Sequence, residues 1–200
     1  MSGASSKQGL RSGVQLVRSS QLYALRGFTL VELLVTLAVA AILLGIAMPA
    51  FSSFVRDGRL TTETDTLLYD MNLARSEAIK LDTTVELCAS NDQMTCNGTW
   101  TDGWIVLCTA ACPAGLGGSP AVLLVAPAIF SGNQVTEQIT GAVAVSFNST
   151  GQTGASNFEF EFCDSRGAAY ARDVEVNSIG EIQASSTPGQ SVAGAALGGC

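Results

Sequence analysis

One carboxylate stands where a carboxylate is costly. Residues 28–48 form a run of 21 residues with a single charge, Glu32. An ionised side chain inside an apolar membrane helix costs roughly 2.5–3.5 kcal/mol on insertion scales, so such a residue is expected to have a partner. Six cysteines are the second group able to do chemistry: Cys88, Cys96, Cys108, Cys112, Cys163 and Cys200, all after the apolar run. They can bond one another or hold a metal. Cys108-x-x-x-Cys112 has tolerable ligand spacing, but there is no histidine and no second close pair, so no metal site is expected. The absence of histidine also removes the commonest general base. Asp and Glu total 17, yet nothing places two of them together in a pocket and no nucleophile motif is recognisable. No catalytic residue and no cofactor are assigned, and the acids read as a solvated, repulsive surface.

The elements that position these residues follow from patterning. The apolar run is long enough to cross the ~30 Å hydrocarbon core as a helix of about 20 residues. Lys7, Arg11, Arg18 and Arg26 precede it with no acid among them. That asymmetry keeps the N-terminus on the cytoplasmic side and sends the rest across the membrane. The exported part carries six basic residues against sixteen acids, a net charge of −10. Its cysteines fit an oxidising compartment such as the bacterial periplasm.

The organisation expected is α+β. Residues 1–27 are a Ser/Gly-rich basic leader, and 28–49 are the transmembrane helix. Pro49 removes a backbone hydrogen bond and is expected to kink the helix. Residues 50–81 are an amphipathic helix packing on a head. Phe51, Phe54, Val55, Leu60, Leu67, Leu68, Met71, Ala74, Ala78 and Ile79 recur at three- and four-residue steps, with charges opposite. One helix over 28–80 would be about 80 Å long. Residues 82–200 are a β-rich antiparallel head, with strands near 84–89, 103–109, 121–125, 142–147, 158–163, 169–176 and 181–184. Phe158-Glu159-Phe160-Glu161-Phe162 alternates strictly, so one face should be buried and the other wet. The Ser/Gly/Ala-rich stretch 185–199 is expected to be loosely ordered apart from what Cys200 holds. Trp100 and Trp104 read as core or edge packing ahead of a ligand site.

Arg26-Gly27-Phe28-Thr29-Leu30-Val31-Glu32-Leu33-Leu34-Val35 resembles the type III signal of type IV prepilins. The resemblance implies cleavage between Gly27 and Phe28 by a membrane aspartyl peptidase and N-methylation of Phe28. It leaves 173 residues and keeps the apolar segment on the mature protein. Glu32 becomes the fifth mature residue and Pro49 the twenty-second, as in that family. Glu32 is then implied to pair with the N-terminal amine of a neighbouring subunit and set the axial register. Leu73-Ala74-Arg75-Ser76-Glu77-Ala78-Ile79, Val85-Glu86-Leu87-Cys88, Trp100-Thr101-Asp102-Gly103-Trp104, Phe162-Cys163-Asp164-Ser165-Arg166-Gly167 and Val176-Asn177-Ser178-Ile179-Gly180 resemble the GspH/FimT (FimU-like) family of minor pilins.

Six cysteines admit 15 pairings, among which sequence alone does not choose. The spacing suggests Cys88 with Cys96, Cys108 with Cys112, and Cys163 with Cys200. The implied function is structural: a tip or initiation subunit of a type IV pilus, with adhesion or motility following from it. The sibling alternative is a pseudopilin of a type II secretion system. Implied partners are other minor and major pilins or pseudopilins, the prepilin peptidase/methyltransferase, the inner-membrane assembly platform and inner-membrane lipid. A DNA-binding minor pilin is the weakest alternative. Phosphate neutralisation needs Lys and Arg, and beyond Lys80 the chain has only Arg166 and Arg172.

Overall fold

In the computed structural model the described residues are 27–110, 112–116, 118–139, 141–154 and 157–200. The basic leader therefore lies outside the described residues, apart from Gly27. One α-helix, α1, spans Leu30–Leu81. Thr29 caps it: its Oγ1 accepts the Glu32 amide at 3.2 Å. Thr-x-x-Glu ahead of an apolar run is a helix-start signature, and the acid in the first turn suits the helix dipole. The backbone stays helical through Pro49.

The C-terminus of α1 is a Schellman turn. Asp82 takes a left-handed φ of 50°. The Asp82 amide then reaches the Ile79 carbonyl at 3.4 Å and the Thr83 amide reaches Ala78 at 3.1 Å. This pattern satisfies the last carbonyls and turns the chain sharply.

The chain divides into two compact units, 1–45 and 46–200. In the first, every described side chain is exposed. In the second, α1 packs on two four-stranded antiparallel sheets. One has the order β3-β2-β1-β5, from Ala121–Ala126, Trp104–Cys108, Val85–Ala89 and Ala144–Phe147. The other is β4-β6-β7-β8, from Gln134–Glu137, Phe158–Cys163, Arg172–Val176 and Ile182–Ala184.

Leu60, Leu67, Met71, Ala74 and Ala78 form the buried stripe of α1. They meet Leu87, Val106, Val145 and Phe147 from the first sheet and Phe158, Phe160, Phe162 and Val174 from the second. Trp100 and Trp104 are buried in the same core. The Trp104 indole donates to Asp70 on α1 at 2.8 Å. The Trp100 ring meets Phe160 edge-on, with centroids 4.7 Å apart, and its indole donates to the Ala142 carbonyl.

Four expectations need correction. The core-facing stripe does not begin at Phe51: Phe51 and Phe54 are 68% and 73% exposed. The helix's apolar contact with the sheets starts only at Leu60. Strand β4 was not expected, because Gln-Val-Thr-Glu offers a single apolar residue to the core, Val135. The strand expected from residue 169 starts at Arg172, since Ala168–Tyr170 winds into a 3-10 turn.

The fourth correction concerns the C-terminal stretch, which is ordered against the outer face of β6–β7. Leu197 is buried beside Cys163 and Ala171. The Gly199 amide donates to Glu161 at 2.8 Å, and Gln190 bridges Ala196. The face of β6 expected to be wet is thus covered, and Glu161 is 2% exposed. A polar, Gly-rich composition shows no apolar periodicity, so acceptors on the sheet it meets are what hold it.

Cys88–Cys96, Cys108–Cys112 and Cys163–Cys200 are disulfide-bonded. The last closes a separation of 37 residues, for which loop-closure entropy suggests about 3–4 kcal/mol. Replacing Cys163 and Cys200 together by Ser is expected to lower the unfolding free energy by about that amount. It should also open residues 185–199 to protease. Denaturant titration and limited proteolysis of the full chain in detergent check both.

Candidate functional site

Two places on the chain carry the residues that sequence singles out. The first is the start of α1. Gly27, Phe28 and Thr29 lie ahead of the helix in non-helical backbone. Phe28 is 80% exposed. Glu32 sits one turn on, and Gly27, Phe28, Thr29 and Glu32 line one shallow hollow. Beyond it Leu33, Leu34, Leu37, Ile42, Leu43, Leu44 and Ile46 are all exposed. An apolar surface this continuous marks a membrane or protein interaction, and by length and composition the helix can cross a membrane.

The second is the seam where α1 leaves its apolar segment and joins the head. Here the contacts are polar. Arg166, on the turn after β6, reaches back to the helix. Its guanidinium meets Asp57 at 2.7 Å and Asp164 at 2.7 Å. It also donates to Ser53 at 3.2 Å and stacks over Tyr170 at 4.3 Å. One helical turn away, Arg56 donates to Ser165 at 3.2 Å.

Burial pushes the Asp164 carboxyl up. Hydrogen bonds from the Arg166 side chain and amide, with the charges of Arg166 and Arg56, outweigh that and hold it below the usual carboxylate range. Arg166 is therefore a clamp between helix and head, with a side chain only 13% exposed. Arg172 stands elsewhere, at the start of β7 and opposite Phe162. The structure does not gather the two arginines into one cationic surface.

Further along α1, side chains that sequence reasoning missed continue the seam. The Glu63 carboxylate takes the Phe130 amide at 2.7 Å and the Asn133 side chain at 2.8 Å. Arg59 stacks on the Phe130 ring at 5.2 Å. Arg75 donates to the Gly151 carbonyl at 2.9 Å. Gly180 packs against that same carbonyl so closely, at φ +78°, that a Cβ there would overlap it. The signal for Glu63 and Asp70 was present as acids at core spacing with Leu60 and Leu67. They read as the polar face because an unpaired acid is costly to bury.

The six sulfurs are joined in pairs, so none is a thiolate able to ligate a metal.

Replacing Arg166 by Ala leaves Asp164 buried without its counter-charge. A loss of about 2–4 kcal/mol in unfolding free energy is expected, the lower end reflecting the half-exposed Asp57. Because the folded Asp164 carboxyl lies below its unfolded value, its contribution is full above about pH 4. That contribution is lost as pH falls further. Denaturation of wild type and R166A at pH 7 and pH 3 measures both, and the difference between them should shrink at the lower pH.

The family described as Type II transport protein GspH matches residues 63–180. The prokaryotic N-terminal methylation motif matches residues 25–48. No curated protein sequence matches the chain significantly. Among solved structures, the type IV minor pilin FimU of Pseudomonas aeruginosa PAO1 is 19% identical at a TM-score of 0.52, covering 67% of this chain and 98% of its own. The minor pseudopilin EpsH of the Vibrio cholerae Type 2 Secretion System is 12% identical at a TM-score of 0.46, covering 64% and 96%. The chain belongs to the GspH family, carried behind a prokaryotic N-terminal methylation motif.

Proposed function

We propose that this protein is a structural subunit at or near the tip of a type IV pilus, where it helps start assembly with other minor pilins. The coarser statement rests on the family: the chain is a minor pilin or pseudopilin of the type IV pilus and type II secretion class, a family of structural subunits. The observation that carries the finer reading is the exposed apolar surface of α1 with one carboxylate in its first turn. Such a surface needs lipid before assembly and sister helices after it. Cleavage between Gly27 and Phe28 creates an α-amine one turn from Glu32. Methylated or not, that amine is cationic at neutral pH. Glu32 of one subunit and the amine of the next then neutralise each other away from water, which fixes the axial step between subunits. Pro49 belongs to the same assembly segment. The anchor holds the chain in the inner membrane with the head in the periplasm, until the assembly platform lifts it into the fibre.

The description of the matched family as a type II transport protein supports a second reading. In it the same subunit serves a secretion pseudopilus, which pushes folded cargo outward. DNA uptake gains no support from the head, because Arg166 is committed to Asp57 and Asp164.

Gly27 replaced by Trp is expected to leave the leader attached, seen as an unshifted band and by mass spectrometry of the N-terminus. Glu32→Ala should be processed normally yet enter sheared fibres at least about tenfold less, since it leaves the neighbour's amine unpaired in apolar surroundings at roughly 2.5–3.5 kcal/mol. Normal incorporation removes this role for Glu32. Immunodetection of the subunit on sheared pili supports the pilus reading. Loss of a secreted substrate on deletion, with pili intact, supports the secretion reading.

A further inference from the structure

The outer face of the second sheet collects four acids. Glu159 and Glu161 on β6 alternate with the buried phenylalanines, and Asp173 and Glu175 on β7 alternate with Val174 and Val176. The antiparallel register sets Glu159 opposite Glu175 and Glu161 opposite Asp173. Like charges directly across a ladder are destabilising. The flanking strands bring no relief, since Gln183 of β8 lies opposite Glu175 and Thr136 of β4 opposite Glu161. Arg172, by the alternation of β7, belongs to the other face. Among the described residues, none of these four acids forms an ion pair.

Three of the four converge. One carboxylate oxygen each from Glu159, Asp173 and Glu175 lie within 4.8 Å of one another. Glu161 is committed elsewhere, accepting the Gly199 amide at 2.8 Å. The second observation is at Asp173, whose side chain has no solvent exposure. Its Oδ2 accepts the Val192 amide at 3.1 Å, an amide that Glu175 Oε1 also accepts at 3.1 Å. Its Oδ1 is buried and accepts no hydrogen bond. A buried carboxylate oxygen without a donor is costly, and here its neighbours are two more carboxylates. Burial pushes the Asp173 carboxyl up. The Val192 amide opposes this, while the charges of Glu159 and Glu175 and a side-chain hydrogen bond with Glu175 add to it, bringing the carboxyl to about 7. Glu159 is raised too, by burial and then by Glu175, Glu161 and Glu137.

We propose that Glu159, Asp173 and Glu175 form a divalent-cation site of the calcium class on the outer face of β6–β7, roofed by the C-terminal segment at Val192. The donors are hard oxygens with no nitrogen or sulfur among them, which selects alkaline-earth ions over zinc or copper. The three oxygens lie within 4.8 Å of one another, close enough to share one ion. A cluster of three carboxylates suits the roughly 6–8 flexible oxygen ligands of calcium better than magnesium, which keeps most of its waters and takes one or two carboxylates. Glu159 and Glu175 are half-buried. Glu159 also faces a cleft shared with Glu161, Ser191 and Gly198, which gives an ion and its waters a path in. A cation there satisfies the orphaned oxygen and cancels the cross-ladder repulsion. It also fixes the two carboxylates that share the Val192 amide, so binding orders the segment that Cys200 pins at its end.

The test is calorimetric titration of the chelator-treated full chain in detergent micelles at pH 7.5 with CaCl2, then with MgCl2. One calcium per chain is expected, with a Kd on the order of 10⁻⁴–10⁻³ M as in extracellular modules, and magnesium binding more weakly. Calcium should raise Tm and protect residues 185–199 from protease. Glu159→Gln with Glu175→Gln removes two ligands and the repulsion between them. This variant should be as stable as wild type or more so in chelator, yet bind calcium at least about tenfold more weakly and gain no Tm from it. Asp173→Asn should weaken binding likewise, while Glu181→Gln should not.

Three results would overturn the site: no calcium heat at millimolar concentration, binding that survives the double variant, or a wild-type Tm that rises on acidification through pH 7 and ignores calcium. The last would mean that a proton alone neutralises the cluster. A raised carboxylate favours folding below its unfolded pKa, and that contribution fades as pH rises through about 7.

Discussion

A helix in contact with lipid must satisfy its own backbone and present only apolar side chains, while a helix on a protein core must present one stripe. Both demands fall on α1, and its residues divide accordingly. Every described side chain of residues 28–48 is exposed, and apart from Glu32 none is charged. From Leu60 onward the buried positions narrow to Leu60, Leu67, Met71, Ala74 and Ala78. Glu32 is the exception, and in the proposed assembly its carboxylate, costly in lipid, is what calls for a neutralising partner.

Between those two regimes the helix is held by polar side chains. Ser53, Arg56, Asp57, Arg59 and Glu63 each engage a loop of the head. Apolar burial attaches a helix strongly but with little angular preference. A guanidinium fixed by Asp57 and Asp164, and a carboxylate taking one amide and one side-chain amide, are directional. Phe51 and Phe54 on the same stretch stay exposed. The seam therefore ties this part of the helix to the head by directional polar contacts and not by apolar burial.

The long helix and most strands were legible because each is a local pattern: a charge-free run, a three- and four-residue apolar recurrence, the Phe-Glu-Phe-Glu-Phe alternation. Strand β4 was not. It is recruited by its neighbours, since Glu137 turns its carboxylate to the amides of Ile139, Ala142 and Glu159 and so bends the chain around it. The clamping role of Arg166 was not legible for a related reason. In sequence it is one of two isolated arginines, and only the fold brings Asp57 within 2.7 Å of it. The ordered C-terminal segment was illegible because composition reports what a segment can bury, and this one is held by its amides instead.

That last point describes the whole head. With six basic residues against sixteen acids after residue 48, ion pairing cannot use most of the carboxylates. The chain uses them as acceptors for loop amides. Asp92 takes the amides of Met94 and Thr95 inside the Cys88–Cys96 loop and is held well below the usual range by them. Asp102 takes the Thr99 amide, Glu63 takes Phe130, and Glu161 takes Gly199. Each such bond stabilises an ionised carboxylate and satisfies an amide that no ladder reaches. The device works where each acid has an amide of its own to accept. On β6–β7 the alternation of two paired strands forces acids together on one face, and a single amide, that of Val192, must serve both Asp173 and Glu175. At that point amides run short, and among the described residues no cation meets the remaining negative charge, which is the charge the proposed ion would neutralise.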